Sequence, residues 1–234
     1  MPSVEELPRA LIRRFLGTIK KDPLASGALK SLIVENIKSF SKDSLSIELS
    51  ANDLDSLEQE MLEKASQNPL LFTAIIYAIP KAETMIAGSV GPLTRGLFRE
   101  HSKNLIAETL KPYMVKIYGE GFFKNLEELK KAETYEELLR IVVEYVEKLG
   151  VSVPGSIEIN ALNKKEIEVI TDPCTFTQLS LKLRQEGITS IFGETFCAFG
   201  TFLVLALEVL SDKTVDFEPV ELSPPTCKFK LKIL

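Results

Sequence analysis

Three cysteines and one histidine are the only thiol and imidazole groups in this chain of 234 residues. Cys174, Cys197 and Cys227 are widely separated, and His101 sits in the polar run Arg99-Glu100-His101-Ser102-Lys103. A zinc site takes about four N, S or O ligands, and a short Cys-x-x-Cys pair usually begins its assembly. No two cysteines here lie close in sequence. A helix and a final strand could still bring Cys197 and Cys227 together, with Asp216, Glu218 and Glu221 upstream of Cys227 as acidic partners. Three buried structural thiols are the plainer reading of that spacing. A Ser or Cys nucleophile would need a base and a group to orient it. His101 is the one imidazole available, and its neighbours read as a solvated helix face. Walker A, GxGxxG and HExxH patterns are absent. No residue set supplies hydride chemistry, so an enzymatic reading ranks below a binding one.

The other chemistry on offer is apolar. Phe192, Phe196, Phe199 and Leu203 recur at helical spacing and continue to Leu207 and Leu210. Beside them runs a line of small residues, Gly193, Cys197 and Gly200, where a helix or sheet could approach closely. Core packing accounts for such a stripe. The functional alternative is the wall of an apolar ligand pocket, which is lined mostly by side chains of this kind.

Composition sets the frame for both. The chain is 45% hydrophobic and 26% charged, which suits a soluble protein with a substantial core. A net charge of −5 and an isoelectric point near 5.2 speak against nucleic acid as a partner. The first residues lack the order of a signal peptide, with Glu5 and Glu6 early and Arg9, Arg13 and Arg14 among the apolar positions. A cytoplasmic protein with reduced thiols is the expectation. The apolar runs Leu70–Ile79 and Thr195–Leu207 fall short of the roughly 20 residues of a membrane span and read as buried helices.

The elements follow from periodicity and breakers. Leu7, Leu11 and Phe15 mark a helix over 3–21, ended by Asp22-Pro23. A second helix covers 24–40, a polar connection with a short strand covers 41–52, and Asp53 caps a third helix. Asn68-Pro69 breaks that helix before LLFTAIIYAI. Pro80 to Pro92, with Gly88 and Gly91, reads as a linker or hinge and places a helical part at 1–90 and a second domain at 91–234. Helices at 93–110, 112–131 and 134–149 follow, the last opened by a Thr134–Glu137 capping box. SIEINAL and EIEVIT alternate around Asn163-Lys164-Lys165 as an antiparallel hairpin. A helix from Cys174 to Glu186, a long apolar helix over 190–210 and a closing hairpin, TVDFEPVEL with CKFKLKIL, complete the chain. In CKFKLKIL the residues Cys227, Phe229, Leu231 and Ile233 face one side and three lysines the other. The fold class is α+β: helices first, then helices packed on an antiparallel four-stranded sheet, with the C-terminal order ββααββ.

ETFCAFGTFLVLALEVLSDKTVDFEPVELSPPTCKFKL resembles the C-terminal part of 4-vinyl-reductase-type domains. The matching features are Cys197 and Gly200 on a small and apolar helix, a strand with Asp216 and Glu218, the Pro224-Pro225 loop and Cys227-Lys228-Phe229. The resemblance implies a fold like that of the small subunits of the TRAPP tethering complex, a small hydrophobic ligand and a homodimer; Phe192, Phe196, Phe199 and Leu203 of the apolar stripe are the candidates to hold that ligand. It also implies zinc on Cys197, Glu218 and Cys227, with Cys174 and Asp216 as alternatives. The family's middle cysteine is missing, and Pro219 stands in its place. The expected function is non-enzymatic binding or sensing of a small hydrophobic molecule. The alternatives are a scaffold subunit with a filled core and, behind both, a reductase.

Overall fold

A computed structural model describes residues 6–104, 107–108, 115, 119, 121–148, 151–188, 197–223 and 225–234. Chain compactness divides them into two units, one of residues 6–98 with 178–188, the other of the described residues between 99 and 177 with those between 197 and 234.

The first unit is helical. Its elements are α1 (Glu6–Lys21), α2 (Gly27–Leu45), α3 (Leu54–Lys64), a 3₁₀ turn (Pro69–Phe72) leading into α4 (Thr73–Ala87), the start of α5 (Pro92–Asn104) and most of α8 (Thr177–Gln185). The α1 stripe of Ile12, Phe15, Leu16 and Ile19 is buried, as helical spacing predicts. Ser26 caps α2, accepting from the Leu29 N–H, and Asp53 caps α3, accepting from the N–H groups of Asp55 and Ser56. The polar connection is shorter than the sequence suggests, because α2 runs on to Leu45, and no strand forms over 46–52.

The predicted hinge is largely helix. α4 passes through Pro80 to Ala87, and only Gly88–Gly91 separates it from α5. A proline inside a helix removes a hydrogen bond and costs about 3 kcal/mol. Here Ala74, Ile75, Ala78, Ile79 and Ala82 are all buried, and that burial outweighs the loss. The stretch Pro69–Ala87 is long and apolar enough to cross a membrane by length and composition; 67% of it is buried inside the protein, as in the core helix of a compact domain. Among the described residues no other helix meets that length and hydropathy.

The boundary of the helical part also differs from residue 90. Residues 178–188 belong with the N-terminal helices because three contacts tie them there. The Tyr77 hydroxyl donates to both carboxylate oxygens of Glu186 at 2.7 and 2.8 Å. Lys81 pairs with Glu186 at 2.8 Å. Lys182 pairs with Asp43 at 3.2 Å and lies over the stacked rings of Phe40 and Tyr77. Burial first, and then the Glu186 carboxylate, push the Tyr77 phenol above its ordinary range. Tyr77→Phe removes one buried hydrogen bond and is expected to lower stability by about 1 kcal/mol. Lys81→Ala in the same background should then cost more than in wild type, as chemical unfolding will show, because Glu186 loses both partners.

Glu60 of α3 offers an acid-sensitive contact. Burial pushes its carboxyl up. Hydrogen bonds from Lys64 and from the N–H groups of Ser50 and Ala51 together outweigh burial and hold it below its ordinary value of 4.5. A carboxyl lowered on folding stabilises the protein above its unfolded value, and that stabilisation is lost as pH falls through the folded one. Glu60→Gln should therefore flatten the acid limb below pH 4.5 and leave the slope near neutrality unchanged, measured by equilibrium unfolding across pH.

The second unit is α+β. It holds the rest of α5, α6 (Phe122–Ala132), α7 (Tyr135–Lys148), β1 (Ile157–Asn163), β2 (Glu166–Thr171), α9 (Ala198–Ser211), β3 (Val215–Ser223) and β4 (Thr226–Ile233). All strand pairs are antiparallel, in the order β1-β2-β4-β3. Helices α1 to α7 precede the sheet, α8 and α9 stand between its two hairpins, and the α+β class with the C-terminal order ββααββ is as the sequence predicts. Ile167, Val169, Cys227, Phe229, Leu231 and Ile233 form its buried face. The other face is an ion-pair ladder of Lys228 with Glu168, Lys230 with Glu166 and Lys232 with Glu218. α9 packs against β3 and α7, and α7 also lies against β1. The Thr134 hydroxyl donates to the Leu129 carbonyl at 3.2 Å, which closes the α6–α7 turn where the sequence suggests a capping box.

Candidate functional site

The apolar candidates start from α9. Phe199 and Leu203 are 2% and 0% exposed, so both are core residues. Phe199 stacks on Phe176 at 5.8 Å and on Phe202 at 6.4 Å between ring centroids. Phe202 is only half-buried, so this aromatic row runs from the core to the edge of the unit. Phe192, Phe196 and Gly193 lie outside the described residues. Gly200 is where α9 meets the sheet: a Cβ there would stand 2.3 Å from Cε2 of Phe217. The small-residue line therefore does what its composition suggests, and lets a strand approach the helix.

Surface clefts lie elsewhere. One of about 540 Å³ runs along α6 and α7, lined by Leu129, Ala132, Arg140 and Ile141 among others. Another of about 360 Å³ lies beside the end of α9 and includes Arg99, Lys103 and Lys213. Neither is lined by Phe199 or Leu203.

The proposed zinc set does not assemble. Cys227 faces the buried side of the sheet with Phe229, while Glu218 pairs with Lys232 on the opposite face, and Asp216 is exposed opposite Lys232 in the strand register. Successive side chains of a strand point to opposite faces. The same pleat that buries the cysteine thus turns both acids away from it. Cys197 caps α9, its sulfur accepting the Gly200 N–H at 3.3 Å. Among the described residues no group of three or more His, Cys, Asp and Glu is placed to hold a metal ion. His101 lies on α5, and its side chain is outside the described residues.

What the fold brings together is Cys174 and Cys227. In the β2–β4 ladder Cys227 stands opposite Thr171. The chain turns after β2, and the Cys174 N–H donates to the Pro225 carbonyl at 3.0 Å. The Thr171 hydroxyl donates to the Cys227 carbonyl at 3.4 Å, and the Thr177 hydroxyl to the Cys174 carbonyl at 2.6 Å. The Cys174 thiol is held well below its ordinary value, chiefly by the hydrogen bond with Cys227, with help from the Phe176 N–H and against the effect of burial. No family model matches the chain, and neither a curated protein nor a solved structure matches it.

That geometry offers two things: an aromatic row ending at the edge of an α+β layer, and two buried thiols, Cys174 and Cys227, on backbone segments joined by the Cys174 N–H to Pro225 carbonyl bond. In the sequence Cys197 and Cys227 are the expected partners, with Cys174 as an alternative. The signal for the true pair lay in Cys174 just after one hairpin and Cys227 at the start of the last strand. It becomes readable only once β2 is known to neighbour β4.

Proposed function

We propose that the α+β unit binds a small apolar molecule and reports its presence, as the resemblance to 4-vinyl-reductase-type domains implies. The observation that carries the reading is the Phe176–Phe199–Phe202 row, which leads from a sealed core to the half-exposed edge of α9. Apolar burial supplies the affinity, and an aromatic row on a helix against a sheet is a suitable wall for it. In this reading the protein acts in the cytoplasm as a homodimer and needs no zinc.

The experiment is native purification followed by solvent extraction and mass spectrometry, with a thermal-shift screen of phenols and fatty acids. An extracted apolar molecule, or a ligand that raises the unfolding midpoint, supports binding. A ligand present at 100 times its Kd stabilises by about 2.7 kcal/mol. Phe202→Ala should reduce that shift while leaving the unliganded fold intact. Failure to extract any molecule or to shift the midpoint overturns the reading. The complete burial of Phe199 and Leu203 would then favour the interaction subunit with a filled core.

A further inference from the structure

We propose that the cleft beside the end of α9 binds the phosphate group of a small phosphorylated molecule through Arg99, Lys103 and Lys213. The inference does not depend on the apolar-ligand reading, because neither Phe199 nor Leu203 lines this cleft. All of its lining residues belong to the α+β unit. Arg99 and Lys103 stand four residues apart on α5, so they share one face of that helix. Lys213 comes from the turn between α9 and β3. Leu205 and Val209 of α9 supply the apolar part of the lining.

What singles out these cations is that they are uncommitted. Among the described residues none of the three makes an ion pair or a side-chain hydrogen bond. The lysines of the sheet face, by contrast, are each held by an acid. Both acids of the cleft are engaged. Glu208 accepts the Val215 N–H at 3.1 Å, and Asp212 accepts from Lys130 at 2.7 Å. The negative end of α9, which would repel an anion, is also partly satisfied. The Ser211 hydroxyl donates to the Leu207 carbonyl at 2.6 Å, and the Asp212 N–H to the Glu208 carbonyl at 2.9 Å. The lining thus carries three free cations against two engaged carboxylates, in a chain whose net charge is −5.

Phosphate suits this set better than a carboxylate. A phosphate monoester offers three acceptor oxygens and close to two negative charges near neutral pH, one oxygen for each cation. A carboxylate offers two oxygens and one charge. The cleft of about 360 Å³ lies within the range of small-molecule sites, so it has room for an organic part against Leu205 and Val209.

The test is calorimetric titration of the full-length protein with phenyl phosphate, inorganic phosphate and phenol, near neutral pH and at low ionic strength. Phenyl phosphate is expected to bind one to one, inorganic phosphate more weakly, and phenol not to compete with phenyl phosphate. Arg99→Ala and Lys213→Ala should each weaken phenyl phosphate about fivefold. Lys164→Ala removes the same charge outside the cleft and should change nothing. The cleft cations are exposed and without partners, so their variants keep the fold, which thermal unfolding checks. Absence of saturable phenyl phosphate binding overturns the proposal. So does an equal loss in the Lys164 variant, which would trace the effect to overall charge. Inorganic phosphate binding as tightly as phenyl phosphate rejects the organic part, and competition by phenol rejects the phosphate reading.

Discussion

Glu83→Ala is expected to lower the stability of the helical unit by about 3 kcal/mol, read as a fall of roughly 6–12 °C in the unfolding midpoint. Glu83 is a buried carboxylate near the end of α4. It accepts the N–H groups of Gly91 at 2.9 Å, Leu93 at 2.9 Å and Thr94 at 3.2 Å, together with the Thr94 hydroxyl. Gly91 stands just before α5, and Leu93 and Thr94 carry the first amides of that helix, which have no partners within it. Alanine would leave two fully buried N–H groups unsatisfied, each costing about 1–3 kcal/mol. Glu83→Gln keeps one acceptor oxygen but turns an NH₂ toward the same donors, so it should lose about half as much. The same clamp explains Gly91, where a Cβ would lie 2.9 Å from the Glu83 carboxylate. If calorimetry finds Glu83→Ala within 0.5 kcal/mol of wild type, as an exposed substitution would be, the clamp adds no stability.

Gly200→Ala is the second large effect. Alanine would ordinarily strengthen a helix by about 1 kcal/mol over glycine. Here the new methyl would meet the Phe217 ring at 2.3 Å, and that ring packs on Phe229, with 5.2 Å between centroids, in the core of the sheet. Overpacking of this kind costs about 1–3 kcal/mol and here exceeds the helix gain. A net loss of about 1–2 kcal/mol is expected in chemical unfolding. Adding Phe217→Leu should recover part of it, so that the double variant is more stable than the sum of the two single changes. Strict additivity would show that helix and strand do not share this contact.

Where one element carries its own pattern, the sequence was readable. β4 alternates Cys227, Phe229, Leu231 and Ile233 against three lysines, and the structure buries the first set and pairs the second. Asp53 was legible as a cap because capping is local. Pro80 was misleading because its helix is sustained by burial on several sides, and that is a property of the assembled unit rather than of the segment. The approach of the Cys174 backbone to the start of β4 was hidden for a different reason: it depends on the pairing of β2 with β4, and no local pattern states which strands are neighbours. The acids of β3 were legible as acids. That they face away from Cys227 follows from a register set by the partner strand.

The contacts of Tyr77 and Lys81 with Glu186 have a consequence for how the chain is made. During synthesis the helices α1 to α4 leave the ribosome long before residues 178–188 exist. Domains generally fold as units in the order they emerge. This helical unit instead waits for a late segment, with Phe40 and Tyr77 lacking Lys182 above them until more than half of the remaining chain has been added. Fragments cut at residue 90 would lack that segment permanently. They should bind chaperones and be cleaved by proteases more readily than the complete chain.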